Sequence, residues 1–285
     1  MDEFISTHES TIRLGFFLGV FTLMALWELL APRRPLTQSK TTRWFNNITL
    51  VVLNTALLRI VFPTAAVGMA DHAALLQWGL FNQVNVPAAV AIFASIVILD
   101  AAIYLQHVMF HAVPVLWRLH RVHHADLDFD VTTGARFHPV EILLSMLIKF
   151  AVIILLGPPL VAVVLFEVLL NAMAMFNHSN VRMPKALDAA LRLLVVTPDM
   201  HRVHHSQRDD EANSNFGFNL SLWDRLSGTY RAQPRDGHAG MVIGIDSFRD
   251  TAHCVRLPGM LLLPFTGKVT GYAINRRRRD DTNDA

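Results

Sequence analysis

Cysteine is almost missing from this 285-residue chain, where Cys254 stands alone. That excludes an intrachain disulfide framework, a CxxC redox pair and a cysteine-held iron–sulfur cluster. Charge is scarce as well. Only 17% of the residues are charged and 52% are hydrophobic, whereas soluble chains carry about a quarter charged residues. That balance moves the chain toward the membrane. Several catalytic fingerprints are also missing: the sequence holds no HExxH, no ExxH pair, no GxSxG elbow, no P-loop and no GxGxxG. Zincin proteases, soluble di-iron carboxylate bundles, α/β-hydrolases and dinucleotide-binding folds are thereby excluded at the level of motif. The acidic start, MDEFISTHES, lacks the basic region and cleavage site of a signal peptide and is expected to stay on the mature protein.

What the chain has instead is long apolar runs. Leu14–Pro32 is long enough to cross a hydrocarbon core of about 30 Å as a helix. A second run covers 44–70, interrupted by Arg59, which is read as snorkelling or paired. The segment 71–87 reads as a short loop or a shallow re-entrant piece, and a third run covers 87–112. The 35 mostly apolar residues from Ile142 to Phe176 are split by Gly157, Pro158 and Pro159. As one helix they would extend about 52 Å, too long for one span. The break predicts a hairpin over 140–176 that enters and leaves on the same side. Between the first two runs, residues 33–43 carry four basic side chains and no acid. The positive-inside rule sends that loop to the cytoplasm and 71–87 outward. The predicted fold is therefore all-α: a polytopic membrane helical bundle with a cytoplasmic histidine-rich cap, one domain over 1–275. The cap is expected over 107–138 and 178–230. The tail, 276–285, reads as disordered, its arginine run a topology anchor rather than a nucleic-acid patch.

Ten of the 14 histidines lie between 107 and 205. The pentapeptide HRVHH occurs twice, at 120–124 and again at 201–205. On a helix, residues three and four apart share a face. His120, His123 and His124 can thus converge, as can His201, His204 and His205, while His107 and His111 stand one turn apart. Imidazole suits iron, copper, nickel and zinc, and two helical tripods suit two metal ions, each taking its ligands from one copy and sharing the remaining histidines. His138 and His178, at the ends of the hairpin, can complete the shells, giving four or five imidazoles per ion. Asp100, Glu141 and Asp199 are the carboxylates expected behind ligating rings, accepting an outward N–H. His8, His72, His238 and His253 read as ordinary solvated or capping side chains. Residues alone leave three chemistries open: a lipid-oxidising di-metal enzyme, a di-zinc hydrolase, and a metal-handling transporter or sensor. Gathering of the histidines at one face, rather than along the spans, favours a closed catalytic site over a transport path.

The order HVMFH (107–111), HRVHH (120–124), RFHPVE (136–141), NHSN (177–180) and TPDMHRVHHS (197–206) resembles the fatty acid hydroxylase/sterol desaturase superfamily. NFGFNLSLWDRLSGTY at 215–230 also resembles the segment after the last box in bacterial members. The likeness covers about residues 95–230. It implies a non-haem di-iron centre, two Fe ions that use O2 to hydroxylate or desaturate an unactivated C–H bond of a lipid (a sterol, a fatty acyl chain or an ether lipid). It implies His107, His111, His120, His123, His124, His201, His204 and His205 as the three boxes and His178 as an additional ligand. His138 matches only those branches that carry HPxE. Such a protein is expected in a cell membrane, here the bacterial inner membrane, with its boxes facing the cytoplasm. Tyr104, Met109, Phe110, Trp117, Met173 and Phe176 are candidates to line an apolar approach. Because the chain has no cluster ligands and no flavin or nicotinamide fingerprint, electrons must come from outside. An external donor is expected, a ferredoxin or a cytochrome b5-like protein with its reductase, attracted by arginines such as Arg202, Arg208 and Arg225.

Overall fold

The computed structural model describes residues 2–270, so the tail at 276–285 lies outside the described residues. Among the described residues, five helical stretches are long and apolar enough to cross a membrane. The first, α1 (Asp2–Leu30), is 29 residues long and carries its apolar run in its second half, after a polar first three turns. Its Glu28 is buried, and one carboxylate oxygen accepts the backbone N–H groups of Val131 and Asn180, each at 2.7 Å. The charge near the helix end is thus a staple joining α1 to two distant loops.

Helix α2 (Lys40–Val61) starts on Ser39, whose hydroxyl accepts from Thr42 N. The single span expected over 44–70 is instead two helices, α2 and α3 (Ala65–Leu75). Pro63 explains the break: it has no N–H to donate, and it disfavours helical geometry in the residue before it. Helix α3 buries Ala66, Val67, Ala70 and Ala73 beneath the hairpin, and α4 (Leu80–Gln83) is a single turn. The region between the second and third spans is accordingly packed helix rather than a plain loop. Arg59 is exposed on the surface of α2.

Helix α5 (Ala88–Ala112) matches the third run. Pro114, at the first turn of α6 (Pro114–His124), lets the chain fold back on itself at once. Helices α7 (Pro139–Leu156) and α8 (Leu160–Asn177) are the two arms of the expected hairpin. Gly157 ends α7 with φ +61°, a left-handed cap that glycine adopts without steric cost. Gly79, at φ +88°, rests directly on it: a Cβ at Gly79 would lie 2.2 Å from Gly157 N. That contact puts the hairpin tip and the 76–84 turn at the same end of the bundle. At the opposite end, Pro32 pairs with Val181, and α6, α9 (Lys185–Leu191) and α10 (Pro198–His204) build the cap. Among the described residues no strands pair into a sheet, only isolated bridges.

A buried ionic cluster joins bundle and cap. Arg43 Nε and Nη2 donate to the two oxygens of Asp126, at 2.9 and 2.7 Å, and Nη1 to Asp130. Arg136 donates to the carbonyls of Val122 and Cys254 and stands 3.7 Å from Asp126. Burial alone would push the Asp126 carboxyl up; Arg43 and then Arg136 more than reverse this and hold it at about 2. Asp128 accepts the N–H groups of Thr37 and Gln38. The loop after α6 is therefore tied to the start of α2, and this fixes where α6 can present its histidines.

Candidate metal centre

Nine histidines meet at the cap end of the bundle, in two groups. His107, His111, His120, His124 and His204 form one, and His123, His178, His201 and His205 the other, with the ligand atoms of each group all within 4.8 Å of one another. Helix α5 supplies His107 and His111, α6 the first HRVHH, the end of α8 His178, and α10 with its C-cap the second HRVHH. Thr197 caps α10 by accepting from Met200 N at 3.3 Å, and Pro198 occupies its first turn.

The repeat is divided differently from the sequence expectation. Each copy serves both groups: His120 and His124 join the first and His123 the second, while His201 and His205 join the second and His204 the first. The i, i+4 pair of each helix shares one side, and the remaining histidine crosses to the other because the two helices face each other. The expected four or five imidazoles per group are found. His138 joins neither group. It caps α7, its Nδ1 accepting from Val140 N at 3.2 Å and its Nε2 lying 3.3 Å from Leu261 O.

Proton positions follow from the outer partners. Nδ1–H of His107 donates to Phe216 O (2.7 Å), that of His204 to Ser214 O (2.7 Å) and that of His178 to Ala174 O (2.8 Å). A carbonyl only accepts, so each Nε2 keeps a bare lone pair directed inward. His107 Nε2 and His204 Nε2 are nevertheless 3.0 Å apart. The other inward contacts are alike: His107–His120 3.1 Å, His111–His124 3.0 Å, His123–His178 3.1 Å and His178–His201 3.0 Å. Burial holds His120 and His178 down at about 3. Burial and then neighbouring imidazoles hold His123, His124, His201, His204 and His205 well below the ordinary histidine value. The rings are neutral donors, the form a metal takes.

The three carboxylates have different roles. Glu141 accepts from His120 Nδ1 at 2.6 Å, as expected. Asp100 meets no imidazole; it accepts from Asn219 N (3.3 Å), Leu220 N (3.1 Å) and the Trp223 indole (2.8 Å). Asp199 pairs with Arg33 at 3.0 Å and with Arg202. Arg202 is thus buried, its second nitrogen on Ser179 O, and is unavailable to a docking protein, unlike Arg208 and Arg225. Arg121 of the first repeat is equally occupied, donating to the carbonyls of Leu263, Thr266 and Lys268. His238, expected in solvent, is buried 3.6 Å from Asp199, and burial lowers it to about 4. His72 and His253 are exposed.

Other functional atoms were illegible in the sequence. Three of the outer partners are backbone carbonyls, of Ala174, Ser214 and Phe216, and the stretch 213–216 adds the Asn213 amide, 3.3 Å from His111 Nδ1. Asp224 holds that stretch in place by accepting from Phe216 N and Gly217 N, both at 2.8 Å. Phe216, Phe137 and Phe129 wall the imidazoles, Phe137 stacking on His123 at 4.5 Å. Of the aromatics expected to line an approach, Tyr104, Phe110 and Trp117 are buried in packing, Trp117 4.8 Å from the His111 ring.

Comparison with known proteins agrees with this geometry. A family model described as fatty acid hydroxylase matches residues 92–229, a span that contains all nine clustered histidines and the stretch behind them. An ornithine lipid hydroxylase of Rhizobium tropici is 30% identical over 225 residues, 77% of this chain and 67% of that protein. Alkylglycerol monooxygenases of Homo sapiens and Danio rerio are each 28% identical, over 52% and 60% of this chain. The chain covers 32% and 38% of those two proteins' own lengths. No solved structure matches. With the histidine order, the membrane bundle and these relatives in agreement, the chain belongs to the fatty acid hydroxylase family.

Proposed function

We propose that this chain is a membrane-embedded, O2-dependent lipid hydroxylase whose nine clustered histidines hold two iron ions. The observation that carries the metal reading is the pair His107 and His204, whose Nε2 lone pairs face each other at 3.0 Å while both Nδ1 protons are committed to carbonyls. With no proton to share, that approach is repulsive unless a cation lies between. Inward spacings of 3.1 Å recur in both groups, at His107–His120 and at His123–His178, and imidazole ligands suit iron.

When bound, the ions would supply activation of dioxygen for attack on a C–H bond. The chain's own residues set the conditions for it. Glu141, Asn213 and the carbonyls of Ala174, Ser214 and Phe216 hold the rings in one tautomer and orientation. Phe129, Phe137 and Phe216 exclude water from the imidazoles. Hydroxylation consumes two electrons and two protons with each dioxygen, and one oxygen atom leaves as water. The proposal therefore includes an external donor, a ferredoxin or a cytochrome b5-like protein with its reductase. The histidine end is proposed to face the cytoplasm, since Arg118, Arg182, Lys185, Arg208 and Arg225 gather there with the 33–43 loop. The likeness to the Rhizobium tropici ornithine lipid hydroxylase makes an ornithine lipid the first substrate to test.

The test is purification in lipid, elemental analysis, and incubation with ornithine lipid, NADPH, reductase, carrier and 18O2. The expected result is iron in the protein and one labelled oxygen in the lipid. Zinc in place of iron, with product formation independent of dioxygen, would replace this reading with a hydrolase.

A further inference from the structure

The cap carries an apolar face of its own. On α9 and the turn after it, Leu187, Leu193 and Leu194 are exposed, Leu194 to 73%. On α11 (Leu222–Leu226), Leu222 and Leu226 are exposed, Leu226 to 71%. The two pieces form one surface. Ser221 N donates to Leu194 O at 3.1 Å, Ser221 Oγ and Arg225 Nη2 both donate to Arg192 O at 2.8 Å, and Val195 bridges Leu220.

Its depth is set by Asp100. This carboxylate accepts from Asn219 N, Leu220 N and the Trp223 indole. It sits at the middle of α5, 12 residues before Ala112, or about 18 Å below the helix end. Tyr104 OH and Thr229 Oγ1, 3.0 Å apart, add a second tie. The leucine face is thereby fixed alongside a membrane-spanning helix whose own Ile98 and Leu105, on either side of Asp100, are exposed. Exposed Arg182, Lys185 and Arg225 rim it with positive charge.

We propose that this face of the cap is embedded in the bilayer, its leucines among lipid chains and its basic rim at anionic headgroups. The exposed side chains of α5, among them Val90, Phe93, Ile98 and Leu105, are apolar and lie on the helix to which Asp100 and Tyr104 tie this face, which makes lipid, rather than a protein, its occupant. The stretch 213–229 that follows this depth also holds the outer nitrogens of His107, His111 and His204. The element touching lipid is thus the one that orients the histidines.

The experiment places a nitroxide on Leu194→Cys and Leu226→Cys, in full-length Cys254→Ser protein reconstituted in vesicles containing anionic lipid. Collision with dissolved oxygen is compared with collision with a water-soluble nickel chelate, using Arg235→Cys as the aqueous reference and Phe93→Cys as the lipid reference. The expected oxygen-to-nickel ratio at both leucine positions exceeds that at 235 several-fold and approaches that at 93. A ratio equal to that at 235 would put the face in water. Protection from both reagents would show that protein covers it. Either result overturns the proposal. Unsubstituted protein supplies an independent measurement: a lipid carrying a photoreactive group in its acyl chain should label peptides spanning 187–194 and 222–226, and absence of such adducts counts against embedding.

Discussion

At the scale of single residues, the histidines separate by what lies behind them. His204 has its outer nitrogen on a carbonyl and its inner one 3.0 Å from that of His107, whereas His138 is a helix cap. Replacement of His204 by alanine is expected to abolish metal retention in the five-histidine group. Replacement of His138 should leave metal content unchanged and cost about 1 kcal/mol of stability, the usual value of a lost cap. Elemental analysis of the two purified variants, with thermal unfolding of each, checks both halves. Asp126 makes a different prediction. It is fully buried between Arg43 and Arg136, and removing one partner of a buried pair strands the other charge. Asp126→Ala should destabilise by about 3–5 kcal/mol. An urea or thermal transition in mild detergent indistinguishable from that of the wild type would contradict this.

At the scale of elements, the hairpin depends on one close backbone approach. Gly157 must adopt a left-handed φ, and a Cβ there would come within 2.5 Å of Trp78 O. Gly157→Ala therefore combines backbone strain with a steric clash, and a loss of roughly 2–3 kcal/mol is expected. Gly15, in α1, has open space around it, and Gly15→Ala should be neutral or slightly stabilising, since alanine is the better helix former. Melting temperatures of the two variants in the same detergent distinguish them. The elements also show how far local pattern reaches. Helix α5 and both arms of the hairpin follow their apolar runs closely, because length and proline placement act within one segment. The break at Pro63 is equally present in the sequence, but a continuous apolar run around it masks a separate, packed helix.

For the whole molecule, the arrangement has two ends: the 76–84 turn with the hairpin tip at one, the histidine cap at the other. A cysteine in place of exposed Gln77 is expected to react with an impermeant maleimide on intact cells, and one in place of exposed Arg235 only after permeabilisation. The reverse pattern would invert the bundle. The loop 126–134 cannot serve as the inner probe, because it is buried throughout by the Asp126–Arg43 cluster.

The sequence alone determined the helical membrane class, the hairpin and ten candidate histidines, of which all but His138 meet, because apolar length, proline and i, i+4 spacing are local properties. It could not assign those histidines to two groups, since the assignment depends on which faces of α6 and α10 oppose each other. Nor could it find the carbonyls of Ser214 and Phe216 as ring partners, because every residue has a carbonyl and only the fold aims one. His138, Asp100, Asp199 and Arg202 carry side chains suited to the expected roles, yet only packing decided their partners: a helix N-terminus, two backbone amides with an indole, two guanidiniums, and a carboxylate with a carbonyl. Residue type sets what a group can bind, and tertiary structure sets what comes within about 3 Å of it.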